Sequence, residues 1–196
     1  MSFRKEYKIS ASRYEVFLLK NELIKKGMIE LHPPRKVISN YFDTNLFQMY
    51  NDSEEGCVPR KKIRIRHYEK NLKKQNLEIK ISSIEGRFKQ SNPISKKHLK
   101  NLFANGYYDN FYGVCLPRVE IEYLRSYFKF SDLRVTFDSN ITYREICSEK
   151  RIFEPKEVVE FKCSAKFSDE FIYSKINIPL IRFSKYCRAV QNIFSV

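Results

Sequence analysis

Three short stretches of this 196-residue chain place charged side chains at every second position. In PRKKIRIRHYE, Lys62, Arg64 and Arg66 share one parity, with Ile63 and Ile65 on the other. LEIKIS sets Glu78, Lys80 and Ser82 against Leu77, Ile79 and Ile81, and EGRFKQ adds Arg87 and Lys89. A spacing of two keeps side chains on one face in an extended strand, so these stretches predict strands with a basic face. Later segments continue the pattern. LRVTFDSN carries Arg134, Thr136 and Asp138 on one parity, VVEFKCS carries Glu160 and Lys162, and EYLRSYF places Arg125 with Tyr123. Rows of Arg and Lys repel one another. A chain of phosphates would neutralise them, each guanidinium fork matching two oxygens. Glutamates in such rows are suited to a divalent cation that bridges phosphate oxygens. Two arrangements satisfy the alternation: a solvated outer face, or strands that curl so that the charged faces line a cavity.

The composition agrees with an anionic partner. Lys and Arg number 37 against 23 Asp and Glu, for a formal net charge of +14. Nucleic acid, an acidic membrane and a phosphate-rich molecule or polymer are the partners that such a charge suits. Hydrophobic residues make up 42% and aromatics 15%, enough for a packed core, and the 5 Gly and 7 Pro exclude collagen-like or low-complexity chains. No apolar run approaches the roughly 20 residues needed to span a bilayer. MSFRKEYKIS has charges but no following apolar stretch, so a signal peptide is not expected and the cytoplasm is. The five cysteines (Cys57, Cys115, Cys147, Cys163, Cys187) are scattered, and His32, His67 and His98 do not cluster. Free thiols are expected rather than a disulfide framework or a zinc site. No RNA-recognition, OB or helix-turn-helix signature is present, so no nucleic-acid partner is expected.

The elements that must position these residues follow from local signals. Residues 3 to 9 predict a first strand, with Phe3, Lys5, Tyr7 and Ile9 opposite Arg4, Glu6 and Lys8. Ser12-x-x-Glu15 predicts a capping box opening a helix with Tyr14, Phe17, Leu18 and Leu23 apolar, closed by Gly27. His32-Pro33-Pro34 predicts a loop, Val37 to Phe42 a strand, Thr44 a short helical turn through Tyr50, and Asn51 to Pro59 an acidic loop. Pro93 and Ser95 predict the start of a helix ending near Gly106, followed by a Tyr/Phe-rich loop. PRVEIEYLRSYFKF alternates in a way that predicts a bulge or a two-sided strand. A final helix is expected after Ser184. No repeat or boundary stands out, so residues 1–196 are read as one domain.

In this order, FRKEYKI, SNYFDT, KIRIRHYE, LEIK, EGRFKQ, EYLRSYF, LRVTFDSN, VVEFK and FSKYCRA resemble the VTC domain. That domain is the polyphosphate-polymerase branch of the triphosphate tunnel metalloenzymes. The resemblance implies an α+β fold, an antiparallel eight-stranded β-barrel forming a tunnel with flanking helices. It implies polyphosphate built from ATP or another nucleoside triphosphate with Mn2+ or Mg2+, and a membrane-protein partner for export of the product. Position by position it implies phosphate-handling roles for Lys8, Arg64, Arg66, Lys80, Lys89, Arg125, Arg134 and Lys185, and a metal-ligand role for Glu160. Lys62 joins them on its parity. The family's further arginine, early in the loop before the IRIR strand, is absent. Ser53 stands near its place, and Arg60 is the candidate to substitute. With this set, Lys8, Arg64, Arg66, Arg125 and Arg134 would hold the triphosphate while Lys80, Lys89 and Lys185 hold the attacking chain. The CYTH-type triphosphatases of the same superfamily open with E-x-E-x-K, where this chain has Arg4, Glu6 and Lys8. A base in place of the first carboxylate favours a polymerase over a hydrolase, which needs carboxylates for metal and water. A triphosphatase and a non-catalytic polyphosphate-binding module remain the alternatives.

Overall fold

A computed structural model describes residues 4–69, 74–164, 166–168, 170, 173–174 and 179–195. Phe3, expected to begin the first strand, lies outside them. The chain runs β1 (Arg4–Ala11), α1 (Arg13–Lys25), β2 (Ile29–Asp43), α2 (Gln48–Glu55), β3 (Arg60–Tyr68), β4 (Gln75–Ser83), β5 (Gly86–Ile94) and α3 (Lys96–Asn105). It continues through β6 (Tyr107–Asp109), β7 (Gly113–Phe130), β8 (Leu133–Glu145), β9 (Arg151–Phe153), β10 (Glu157–Ser164) and α4 (Lys185–Phe194). Eight strands follow the order β1-β10-β8-β7-β2-β3-β4-β5, with β6 paired to β7 and β9 to β8. Together with the helices this gives the expected antiparallel α+β arrangement.

Two compact units are built on these elements, each from three separated stretches of chain. The first comprises Met1–Arg35, Tyr123–Ile141 and Glu154–Phe183, the second Lys36–Glu122, Thr142–Phe153 and Ser184–Val196. In the first, β10 lies between β1 and β8, with Lys8 opposite Glu160 and Glu160 opposite Thr136. The parity of Ile9, Val159, Phe161, Val135 and Phe137 forms the core with Val16, Leu19 and Leu23 of α1. The capping box forms: Glu15 N–H donates to Ser12 Oγ at 3.3 Å and Ser12 N–H to Glu15 Oε2 at 2.8 Å. Of the apolar residues expected on this helix only Leu23 is buried, and Tyr14, Phe17 and Leu18 are exposed. Apolar residues occupy both sides of α1, so periodicity alone did not select the side that packs.

In the second unit β3 lies between β2 and β4, and β5 pairs with β4. Ile63 and Ile65 are buried as expected, against Met49 of α2 and Leu102 of α3. Three local predictions differ. His32-Pro33-Pro34 lies within β2 rather than in a loop. Proline's fixed φ suits an extended chain and removes only one ladder donor. Pro93 likewise stays in β5, leaving Ser95 as the cap of α3. Residues 51–55 of the expected acidic loop are helical. The Asp43 carboxylate accepts from Met49 and Tyr50 N–H at 3.0 Å each, satisfying donors that the first turn of α2 leaves open. Strand β7 is a single 18-residue strand whose odd positions from Val119 to Tyr127 are all buried, Arg125 among them. None of the five cysteines forms a disulfide, and Cys115, Cys163 and Cys187 are buried.

Candidate phosphate-binding site

The charged parity is not uniformly solvated. Relative exposure is 6% for Arg64, 5% for Glu78, 9% for Arg125, 0% for Asp138 and 5% for Glu160. Charges so removed from water require partners, and both units supply them.

In the second unit the strand register sets Lys62 opposite Lys80 and Lys80 opposite Lys89. The next row sets Arg64 opposite Glu78, and the one beyond sets Arg66 opposite Asn76. Across β3, β4 and β5 this face carries Arg60, Lys62, Arg64, Arg66, Lys80, Arg87 and Lys89 with one acid, Glu78. Three of the bases converge on that acid. Arg64 donates from Nε at 2.7 Å and also from Nη2, Lys89 Nζ donates at 2.5 Å, and Arg66 Nη1 stands 3.8 Å away. Burial pushes the Glu78 carboxyl up. The charges of Arg64, Arg66 and Lys89 outweigh this and hold it down at about 2 against an ordinary 4.5. Arg64 Nη1 donates to Tyr41 Oη at 2.7 Å, and Arg66 Nε to Ser39 Oγ at 3.2 Å. Lys62 Nζ donates to Ser184 Oγ, the cap of α4, at 2.8 Å. Lys185 is the first residue of α4 and half-buried. Arg60 opens β3, where its guanidinium binds the carbonyls of Gly56 at 3.3 Å and Cys57 at 2.8 Å. Ser53, near the absent arginine's place, is buried in α2.

In the first unit the charges alternate in sign. Glu6 stands opposite Lys162, and Lys8 opposite Glu160. Lys8 Nζ lies 3.2 Å from Glu6 Oε1 and donates to Phe183 O at 2.9 Å. Arg125 grips Asp138 through Nε at 2.5 Å and Nη2 at 2.6 Å, and approaches Glu160 Oε2 at 3.9 Å. Lys162 Nζ lies 2.5 Å from Glu160 Oε1. That oxygen is nevertheless buried without a directed hydrogen bond, as is Thr136 Oγ1 on the facing residue. Burial pushes the Glu160 carboxyl up, but Lys162, Arg125 and Lys8 hold it well below the ordinary carboxylate range. Arg134 is exposed, its guanidinium 5.7 Å from the centre of the Tyr127 ring.

Lys62, Arg64, Arg66, Lys80 and Lys89 are therefore gathered on one face of the second unit. Lys8, Arg125 and Glu160 are gathered in the first, with Arg134 at the exposed end of its row. Two carboxylates not assigned from the sequence, Glu78 and Asp138, prove central. Their positions on the charged parity were the available signal. Tyr41 and Asp43 were legible only as part of the YFDT stretch.

A divalent cation is tested by the donors present. Among the described residues no group of three or more His, Cys, Asp or Glu is arranged to hold a metal. Mg2+ commonly takes only one or two carboxylates and completes its shell with water and phosphate oxygens. Glu160 and Glu6, on adjacent strands, are the carboxylates that fit that requirement. Among the described residues no helix is long and apolar enough to cross a membrane.

Known structures share the fold. A candidate adenylate cyclase from Bacillus halodurans is 15% identical, with 98% of each chain covered and a TM-score of 0.64. A candidate adenylyl cyclase from Hippeastrum, described as having a dominant triphosphatase activity, is 15% identical over 98% of this chain and 96% of that one, TM-score 0.59. A conserved hypothetical protein from Pyrococcus furiosus is 14% identical over 94% and 99%, TM-score 0.58. At this identity the likeness is one of fold. Comparison with curated proteins returns no match. The profile of the VTC domain matches residues 3–114 and 110–194, and the chain belongs to the VTC-domain family.

Proposed function

We propose that this protein is a metal-dependent phosphotransferase that builds polyphosphate from ATP or another nucleoside triphosphate. The observation that carries the reading is the row Lys62, Lys80 and Lys89 beside Arg64 and Arg66. Lysines directly opposite one another on a sheet repel, and a counter-charge spread along the row would offset that repulsion. A linear polyanion supplies it, with charge at regular intervals and oxygens for each guanidinium fork.

The second unit is assigned the phosphate chain. Arg64 and Arg66 take phosphate oxygens through paired N–H groups. Lys62, Lys80, Lys89 and Lys185 act as adjustable point charges along the chain, and Arg60 serves at the end of β3. Lys8, Arg125 and Arg134 of the first unit offer further bases for phosphate oxygens, and Glu160, with Glu6, would hold Mg2+ or Mn2+. Bound there, the cation withdraws charge from the phosphate oxygens as it develops. An oxygen at the end of the growing chain attacks the γ-phosphorus in line, and the bond to the nucleoside diphosphate breaks. This chemistry asks the protein mainly for positioning and charge neutralisation, which the basic rows provide. The working location is the cytoplasm, where nucleoside triphosphate is at hand, and a membrane-protein partner would receive the product.

The triphosphatase activity described for the Hippeastrum neighbour supports a second reading, hydrolysis of a triphosphate on the same residues. One incubation with ATP and Mn2+ separates the readings. Long polyphosphate on a gel is the expected product. Orthophosphate alone would replace the polymerase reading with the hydrolase, and no turnover with retained tripolyphosphate binding would leave a binding module.

A further inference from the structure

At the end of β2, three buried side chains join two helices to the Arg64 row. Asp43 is fully buried and accepts from the N–H groups of Thr44, Met49 and Tyr50 at 2.7, 3.0 and 3.0 Å. It also accepts the Tyr186 hydroxyl from the first turn of α4. The Tyr186 ring stacks on Tyr41, centroids 5.0 Å apart at 16°, and Tyr41 Oη accepts from Arg64 Nη1 at 2.7 Å. Glu78 binds Arg64 through Nε and Nη2, so all three guanidinium nitrogens are tied and the plane of the group is fixed. Lys62 ties down the same helix turn through Ser184.

A purely apolar contact could join α4 to this sheet at less cost than a buried carboxylate. What the polar version adds is direction. The hydroxyl of Tyr41 is held where one guanidinium nitrogen meets it, and the Tyr186 hydroxyl is held where one carboxylate oxygen meets it. We propose that Tyr41 and Tyr186, anchored by Asp43, are positioning residues that orient Arg64 and the first turn of α4 for phosphate binding. This rests on the phosphate-binding reading above. The two tyrosines need touch no phosphate themselves.

Calorimetric titration with tripolyphosphate tests the proposal on the full chain. Tyr41→Phe keeps the stacked ring and removes the acceptor for Arg64. It is expected to lower affinity about five- to tenfold, the value of one hydrogen bond of ordinary strength. The loss should vanish in an Arg64→Lys background, which has no guanidinium to orient, and persist in a Lys8→Ala background in the other unit. A merely structural role would weaken binding equally in both backgrounds. Wild-type affinity in Tyr41→Phe, or a loss that adds fully to that of Arg64→Lys, overturns the proposal. Tyr186→Phe should also lose affinity, and wild-type affinity there removes Tyr186 from the set. Should Tyr186→Phe fail to fold, the Tyr41→Phe cycle decides. Absence of tripolyphosphate binding by the wild-type protein would instead overturn the phosphate-binding reading itself.

Discussion

In the first unit, Lys8 faces Glu160, Glu6 faces Lys162, and Arg125 closes on Asp138. In the second, Lys62, Lys80 and Lys89 face one another, and Glu78 serves Arg64, Arg66 and Lys89 at once. Both faces belong to twisted antiparallel strands with an apolar opposite side, so fold does not distinguish them. Charge balance does. Opposite charges set directly across strands stabilise a sheet locally, whereas like charges cost free energy unless a ligand offsets them. The first unit can keep its charged face without a ligand, and its carboxylates suit a cation. The second carries a surplus of bases over the one acid on its face.

That difference predicts opposite responses to removing a charge, the largest in the first unit. Asp138→Ala leaves the buried Arg125 without its bidentate partner. Unfolding in urea should show a loss of about 3–5 kcal/mol. A loss below about 1 kcal/mol would mean that the balanced face is no more structural than the other.

Acid acts on Glu78, the single acid on the basic face of β3, β4 and β5. The folded carboxyl of Glu78 sits at about 2, below its ordinary 4.5. The depressed value makes the ionised form a source of stability above pH 4.5, and that stability falls away as pH drops through about 2. Its size is roughly 3 kcal/mol. In Glu78→Gln the stability profile between pH 4.5 and 2 should be flatter by about that amount. An unchanged slope would assign the acid sensitivity to Glu160 and the first unit, whose carboxyl is depressed as well.

Arg66→Ala separates ligand energy from folding energy. It should cost about 2 kcal/mol of tripolyphosphate affinity in a titration. Its unfolding midpoint should stay close to that of the wild type. Unfolding of this variant with unchanged affinity in the folded fraction would reverse the assignment of the row.

Lys80→Ala is the smallest change and the sharpest in sign. Removing the middle of three facing lysines should leave stability unchanged or raise it by up to about 0.5 kcal/mol. It should also weaken tripolyphosphate by about 1 kcal/mol. A destabilised variant would show that the row is held together by bonds within the protein.

The sequence carried much of this because strand alternation translates directly into faces. Ile63 and Ile65 against Arg64 and Arg66 were legible, as were the Ser12 capping box and the Ser184 cap of α4. The segment order carried the family. Less legible was anything that depends on partners distant along the chain. That Arg125 and Asp138 pair needs β7 and β8 side by side, and that Glu78 is shared needs the register of β3, β4 and β5. The part played by Tyr186 was not legible because its hydroxyl finds its acceptor 143 positions away. The packed side of α1 was misread because both sides are apolar. The prolines of β2 misled because their missing donors suggest loops, although an extended strand tolerates them.

The central claim is that the surplus of bases in the second unit exists to hold a chain of phosphates. Thermal unfolding with and without tripolyphosphate, repeated at rising salt, tests it most directly. At a ligand concentration about a hundredfold above Kd, stabilisation should reach about 2.7 kcal/mol, seen as an upward shift of the unfolding temperature. The shift should shrink with salt, and the share owed to the buried Arg64 should be the part that salt screens least. It should be much reduced in an Arg64→Ala/Lys80→Ala variant. No shift at millimolar tripolyphosphate, or an undiminished shift in that variant, would contradict the account.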